Sequence, residues 1–169
     1  SNLDAKLRRQ VREDIREIQQ KLGVTTIYVT HDQEEALAIS DKVIVMNNAV
    51  IAQEGNPKDL YNYPRNKFVA NFIGDANVVK AEILDKQSSS YELKIAEMKI
   101  KIQSDKNFEK TVSVALRPEK ISINKDKKEN SIHATINNAS FVGSSYQYIL
   151  NSDAGKLFVI SGETNDIFK

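Results

Sequence analysis

The period of the hydrophobic pattern changes once along the chain, near Gly74, and no other feature constrains the fold as much. Before that point apolar residues recur at helical spacing and alternate with β-branched runs. After it, short runs of period two follow one another. Helical and strand spacings present their apolar faces in different ways, so the pattern predicts two units, residues 1–74 and residues 75–169. The first is predicted to be α/β and the second all-β.

Within the first unit, "SNLDAKLRRQVREDIREIQQKLG" reads as a helix. Leu7, Val11, Ile15, Ile18 and Leu22 recur at steps of three or four and draw one apolar stripe, and Gly23 supplies a left-handed stop. "VTTIYVT" follows, β-branched and aromatic without clean alternation, as in a strand buried on both faces. After His31, Asp32 is placed to cap a short helix through Ile39, with Glu34 and Glu35 as an exposed acidic first turn. "KVIVMNN" then meets "AVIAQEG" across an Asn-Asn turn, a hairpin signal, and "KVIVM" reads as a second interior strand. Asn56-Pro57 opens another helix, Pro64 breaks it, and "NKFVANFIG" makes a last helical turn or two.

The second unit offers "NVVKAEILD", "YELKIAEMKIKIQ", "TVSVALRPEKISIN", "SIHATINNASFVG", "SYQYILNS" and "GKLFVIS", parted by turn clusters. Such a series predicts a small barrel or sandwich. His133 falls in one of these short strands.

Charge and composition exclude several classes. Lys and Arg total 24 against 23 Asp and Glu, so there is no electrostatic case for a nucleic-acid partner. Cysteine is absent, which leaves no disulfide framework and no thiolate metal site, and no metal-ligating cluster is read elsewhere. No apolar run approaches the ~20 residues that span a bilayer. These features predict a soluble protein.

His31 sits where strand-forming residues stop and helix-forming residues begin. A histidine there is either a surface or capping residue, or a ligand-contacting group at the end of a buried strand. Its surroundings carry a recognisable pattern. "SNLDAKLR", a helix, and then "GVTTIYVTHDQEEALAISDKVIVMNNAVIAQEGNPKDLY" resemble the C-terminal part of the ATP-binding subunit of ABC importers, in the branch that handles sugars, polyamines and ferric iron. "SNLD" resembles the D-loop and "THD" the switch-histidine loop. "FVANFIGDAN" is similar to the linker to a regulatory barrel, and is closest to those of polyamine and ferric-iron importers. "ALRPEKI" and "ASFVGSSYQYIL" resemble that OB-like barrel, the TOBE domain.

The resemblance implies that His31 reaches the γ-phosphate of ATP and the attacking water, and that Asp4 lies at the seam of a homodimer and helps position the nucleotide sites. It implies ATP and Mg²⁺ in the parent protein, transmembrane permease subunits as partners, and a cytoplasmic location on the inner face of the membrane. A phosphate-binding loop GxxxxGK[ST] is absent, since glycines occur only at 23, 55, 74, 143, 155 and 162. The signature loop and acidic Walker B strand are absent too. The expectation is therefore a C-terminal piece of a longer ATPase, inactive and without cofactor on its own, whose barrel is short or lacks a closing strand. Two alternatives stand beside it: a non-enzymatic module whose barrel senses a small regulatory ligand, and an OB-type nucleic-acid binder, which the charge balance opposes.

Overall fold

The computed structural model describes residues 2–162, with side chains from Lys6 onward. The chain divides into two compact units, residues 1–73 and residues 74–169.

In the first unit, α1 (Asn2–Leu22) ends at Gly23, whose φ of +64° is the left-handed conformation that glycine adopts without steric cost. The helix forms as its periodicity predicts, but the expected apolar stripe is not its buried face. Leu7, Val11, Ile18 and Leu22 are all exposed. The helix is fastened instead through polar residues. Arg16 makes a bidentate pair with Asp41 at 2.8 and 2.5 Å, and Gln19 Nε2 donates to the Val24 carbonyl at 3.0 Å.

The segment 24–30 corrects the sequence reading more strongly. It forms no strand, and Ile27 and Val29 are 88% and 90% exposed. The β propensity of "VTTIYVT" is real, but a strand exists only where a neighbour takes up its backbone hydrogen bonds, and no described segment pairs with this one.

Then α2 (Gln33–Ile39) leads to a hairpin of β1 (Val43–Asn47) and β2 (Val50–Gly55). The two-residue loop is Asn48-Ala49 rather than Asn-Asn, with both residues at positive φ, as a type I′ turn requires. "KVIVM" is not an interior strand. Val43 and Val45 face inward while Ile44 and Met46 are exposed, because β1 has one strand partner and one covered face. Asn56 caps α3 (Pro57–Asn62) and Asn66 caps α4 (Lys67–Phe72), each accepting an amide hydrogen bond from the residue three further on. Val43, Val45, Leu60, Val69 and Ile73 form the core of the unit. The buried Gln53 ties the hairpin to the turn beyond α3, donating to the Tyr63 carbonyl at 3.1 Å and accepting from the Arg65 amide at 2.7 Å.

The second unit is β throughout. One antiparallel sheet has the order β5-β4-β3-β6, built from β3 (Asn77–Gln87), β4 (Ser90–Ile95), β5 (Met98–Gln103) and β6 (Thr111–Leu116). The other runs β7-β8-β9, from β7 (Ala134–Phe141), β8 (Tyr146–Ser152) and β9 (Gly155–Ser161). They share one core, to which the first contributes Val79, Ala81, Tyr91, Leu93 and Ile95 and the second Tyr148, Leu150, Leu157 and Val159. Among the described residues the strands thus part into two sheets instead of one hydrogen-bonded ring. The run "YELKIAEMKIKIQ" is a hairpin that turns at Ala96, and "TVSVALRPEKISIN" stops as a strand at Leu116. Pro118, which has no N–H for a ladder, opens a 3₁₀ turn there. His133 is exposed and lies just before β7, not within it.

Candidate functional site: the loop around His31

The loop is built from the first turn of α2 backward. Asp32 is the N-cap, and its Oδ1 accepts hydrogen bonds from the Glu34 and Glu35 amides at 2.9 and 3.2 Å. These satisfy two of the amide donors that a helix start leaves without a partner, a contribution of about 1 kcal/mol. In the usual capping box the acidic residue three beyond the cap reaches back to the cap's own N–H. Here that half is relayed. The Asp32 amide donates to Thr30 Oγ1 at 3.0 Å, and Thr30 Oγ1 donates to Glu35 Oε2 at 2.8 Å.

Glu35 gathers two further groups. The Tyr28 hydroxyl donates to Oε2 at 3.3 Å, and Arg12 Nη1 of α1 lies 3.8 Å from Oε1. The Glu35 side chain is only 13% exposed, so it is not the exposed helix-start residue that its sequence position suggested. Glu34 does face solvent.

His31 occupies the bend between Thr30 and Asp32, and the imidazole is exposed. Its neighbours on both sides are held, while the ring makes no hydrogen bond to another described residue. An exposed imidazole on a fixed backbone is available to an incoming group, and it can donate or accept a hydrogen bond according to its tautomer. Asp4 belongs to the first turn of α1, but its side chain lies outside the described residues. Its placement relative to His31 stays an expectation.

Beyond the C-terminal end of α2, hydrogen bonding from Arg16 holds the Asp41 carboxyl below its ordinary value of 3.8 and raises the Arg16 guanidinium, with their mutual attraction adding to both shifts and desolvation opposing them. Among the described residues, no group of three or more His, Cys, Asp and Glu side chains could hold a metal ion. No described helix is long and apolar enough to cross a membrane.

The sequence reading missed Arg12, Tyr28, Thr30 and Glu35 as parts of this loop. One signal was available. Asp32-x-x-Glu35 has capping-box spacing, which marks Glu35 as a residue that folds back.

Residues 114–166 match the TOBE domain family. The chain is 39% identical over 160 residues to the Fe(3+) ions import ATP-binding protein FbpC of Brucella melitensis, an alignment covering 95% of this chain and 45% of that protein. It is 39% identical over 165 residues to the protein of the same name from Agrobacterium fabrum, covering 98% and 46%. With the Fusobacterium nucleatum protein of that name it shares 40% over 167 residues, covering 97% and 44%. The chain thus spans a little under half the length of these curated relatives. The resemblance to ABC importer ATP-binding subunits drawn from "SNLD", "THD" and the TOBE-like segments is borne out by these similarities.

Proposed function

We propose that this chain is the C-terminal portion of the ATP-hydrolysing, energy-coupling subunit of an ABC importer, with ferric iron as the transported solute. The observation that carries this reading is similarity over nearly the whole chain to proteins whose names state both Fe(3+) import and ATP binding. Residues 1–74 are then the C-terminal part of the ATPase domain, and residues 75–169 a TOBE-type regulatory domain. Residues 24–30 become an interior strand once the remainder of the ATPase domain supplies neighbours on either side. That accounts for a β-branched run left bare here.

In this reading His31 contacts the γ-phosphate or the attacking water. Its N–H donates to oxygen that gains charge as the phosphoryl group transfers. ATP and Mg²⁺ belong to the parent subunit. ATP supplies the phosphoryl group, and the metal bridges its phosphates and neutralises their charge. Asp4 lies at the seam with a second copy of the subunit. Transmembrane permease subunits hold the dimer at the cytoplasmic face of the membrane. Without GxxxxGK[ST], this chain alone neither binds Mg-ATP tightly nor hydrolyses it.

The test is His31→Ala in the full-length subunit. Turnover is expected to fall by ~10²–10³, the usual cost of one well-placed transition-state donor, with nucleotide affinity retained. Turnover near that of the unmutated subunit would show that His31 is a surface loop residue.

A further inference from the structure

We infer that Glu35 is the positioning residue for His31, an assignment that rests on the reading of His31 as the phosphate contact. The ring itself is untethered among the described residues, so its aim depends on the backbone that carries it. That backbone is held on both sides from the first turn of α2. On the far side, Asp32 Oδ1 accepts the Glu34 and Glu35 amides. On the near side everything passes through one carboxylate. Glu35 Oε2 accepts from Thr30 Oγ1 at 2.8 Å and from the Tyr28 hydroxyl at 3.3 Å, while Oε1 faces Arg12 at 3.8 Å.

The Thr30 hydroxyl has a single proton. Donated to Glu35, that proton fixes the rotor and turns a lone pair toward the Asp32 amide, which it accepts at 3.0 Å. Remove the carboxylate and the hydroxyl is free to turn. The Asp32 amide then loses a fixed acceptor, and Tyr28 and Thr30 lose their side-chain attachment to α2 while the Asp32 cap remains. On this assignment Glu35 acts on catalysis through His31.

The experiment uses the full-length subunit with Glu35→Ala, Glu35→Gln, His31→Ala and the double variant His31→Ala/Glu35→Ala. E35A is expected to lower kcat on the order of ten- to a hundredfold, the effect of losing charge-assisted hydrogen bonds, with KM for Mg-ATP unchanged. E35Q keeps an oxygen that accepts from Thr30, so it should recover most of the turnover. In the His31→Ala background, adding E35A should cost nothing further, since the two act as one unit.

A readout without turnover is amide hydrogen exchange across residues 28–35 of the nucleotide-free subunit, which should accelerate by a similar factor in E35A and much less in E35Q. Impaired turnover in H31A with normal turnover in E35A overturns this assignment alone. So does an additive loss in the double variant, or unchanged exchange in E35A. Normal turnover in H31A overturns the reading of His31 and this assignment with it.

Discussion

Replacing Asn77 with Ala should destabilise the β unit more than any exposed substitution in it. Asn77 is buried on β3, and its side chain does the work of one residue of a strand. Oδ1 accepts from the Phe158 amide at 2.6 Å while Nδ2 donates to the Phe158 carbonyl at 2.7 Å and to the Leu116 carbonyl at 3.3 Å. One amide group thus links the four-stranded sheet to β9 of the three-stranded sheet. Three such bonds contribute ~0.5–1.5 kcal/mol each. The third is long, and the Phe158 groups are only half-buried, so water satisfies part of what is lost. The expected loss is about 2–3 kcal/mol, which lowers the melting temperature of a domain of this size by about 10–20 °C. Urea unfolding followed by the near-ultraviolet signal of the tyrosines measures the first, and a thermal melt followed by the same signal measures the second.

Asn77→Asp adds a pH arm. The carboxylate keeps the Phe158 amide but sets a charge against two carbonyls, so folding raises its pKa above the unfolded value. The stability of this variant is then highest at low pH and is lost as pH rises through the folded value. A loss below ~0.5 kcal/mol in N77A, the range of ordinary surface substitutions, would refute the bridging role.

Ala49 sits at a φ of +61° in the hairpin turn, so Ala49→Gly should stabilise the first unit by ~0.5–1 kcal/mol, the relieved left-handed strain less the entropy of glycine, read as a raised urea midpoint. The Asp41 carboxyl, held down by hydrogen bonding from Arg16, should titrate below 3.8 by carbon-13 NMR. The tether it provides is present above that value and is lost as pH falls through the lowered one. Arg16→Ala should return the midpoint to the ordinary value, and an unchanged midpoint counts against the pair. Exposed Ile27 and Val29 should drive self-association of the 169-residue chain, so Ile27→Lys with Val29→Lys should shift its sedimentation toward monomer. Equal sedimentation of the two forms would refute that.

Chemistry reaching only a few residues was legible in the sequence. Gly23 stops α1, Asp32 caps α2, and Asn56 and Pro57 open α3, because each such group finds its partner within three or four positions. Most of the period-two runs after Gly74 lie on strands, and their alternation sets which side chains share a face, although residues 121–124 of one run form no strand. Tertiary structure decided everything that needs a distant partner. "VTTIYVT" has the composition of a buried strand but forms none here, because strand hydrogen bonds are made between segments. The stripe on α1 stays exposed while Arg12 and Arg16 hold the helix, a choice set by which surfaces are present to meet it. Whether the β runs form one ring or two sheets rests on pairings such as Asn77 with Phe158, 81 residues apart, which no local pattern encodes. His31 was singled out by the resemblance of "THD" to the switch-histidine loop, since its place between strand-forming and helix-forming residues left both readings open. For Glu35 the sequence held only the capping-box spacing from Asp32, and its partners Tyr28, Thr30 and Arg12 are groups that the fold alone brings to one carboxylate.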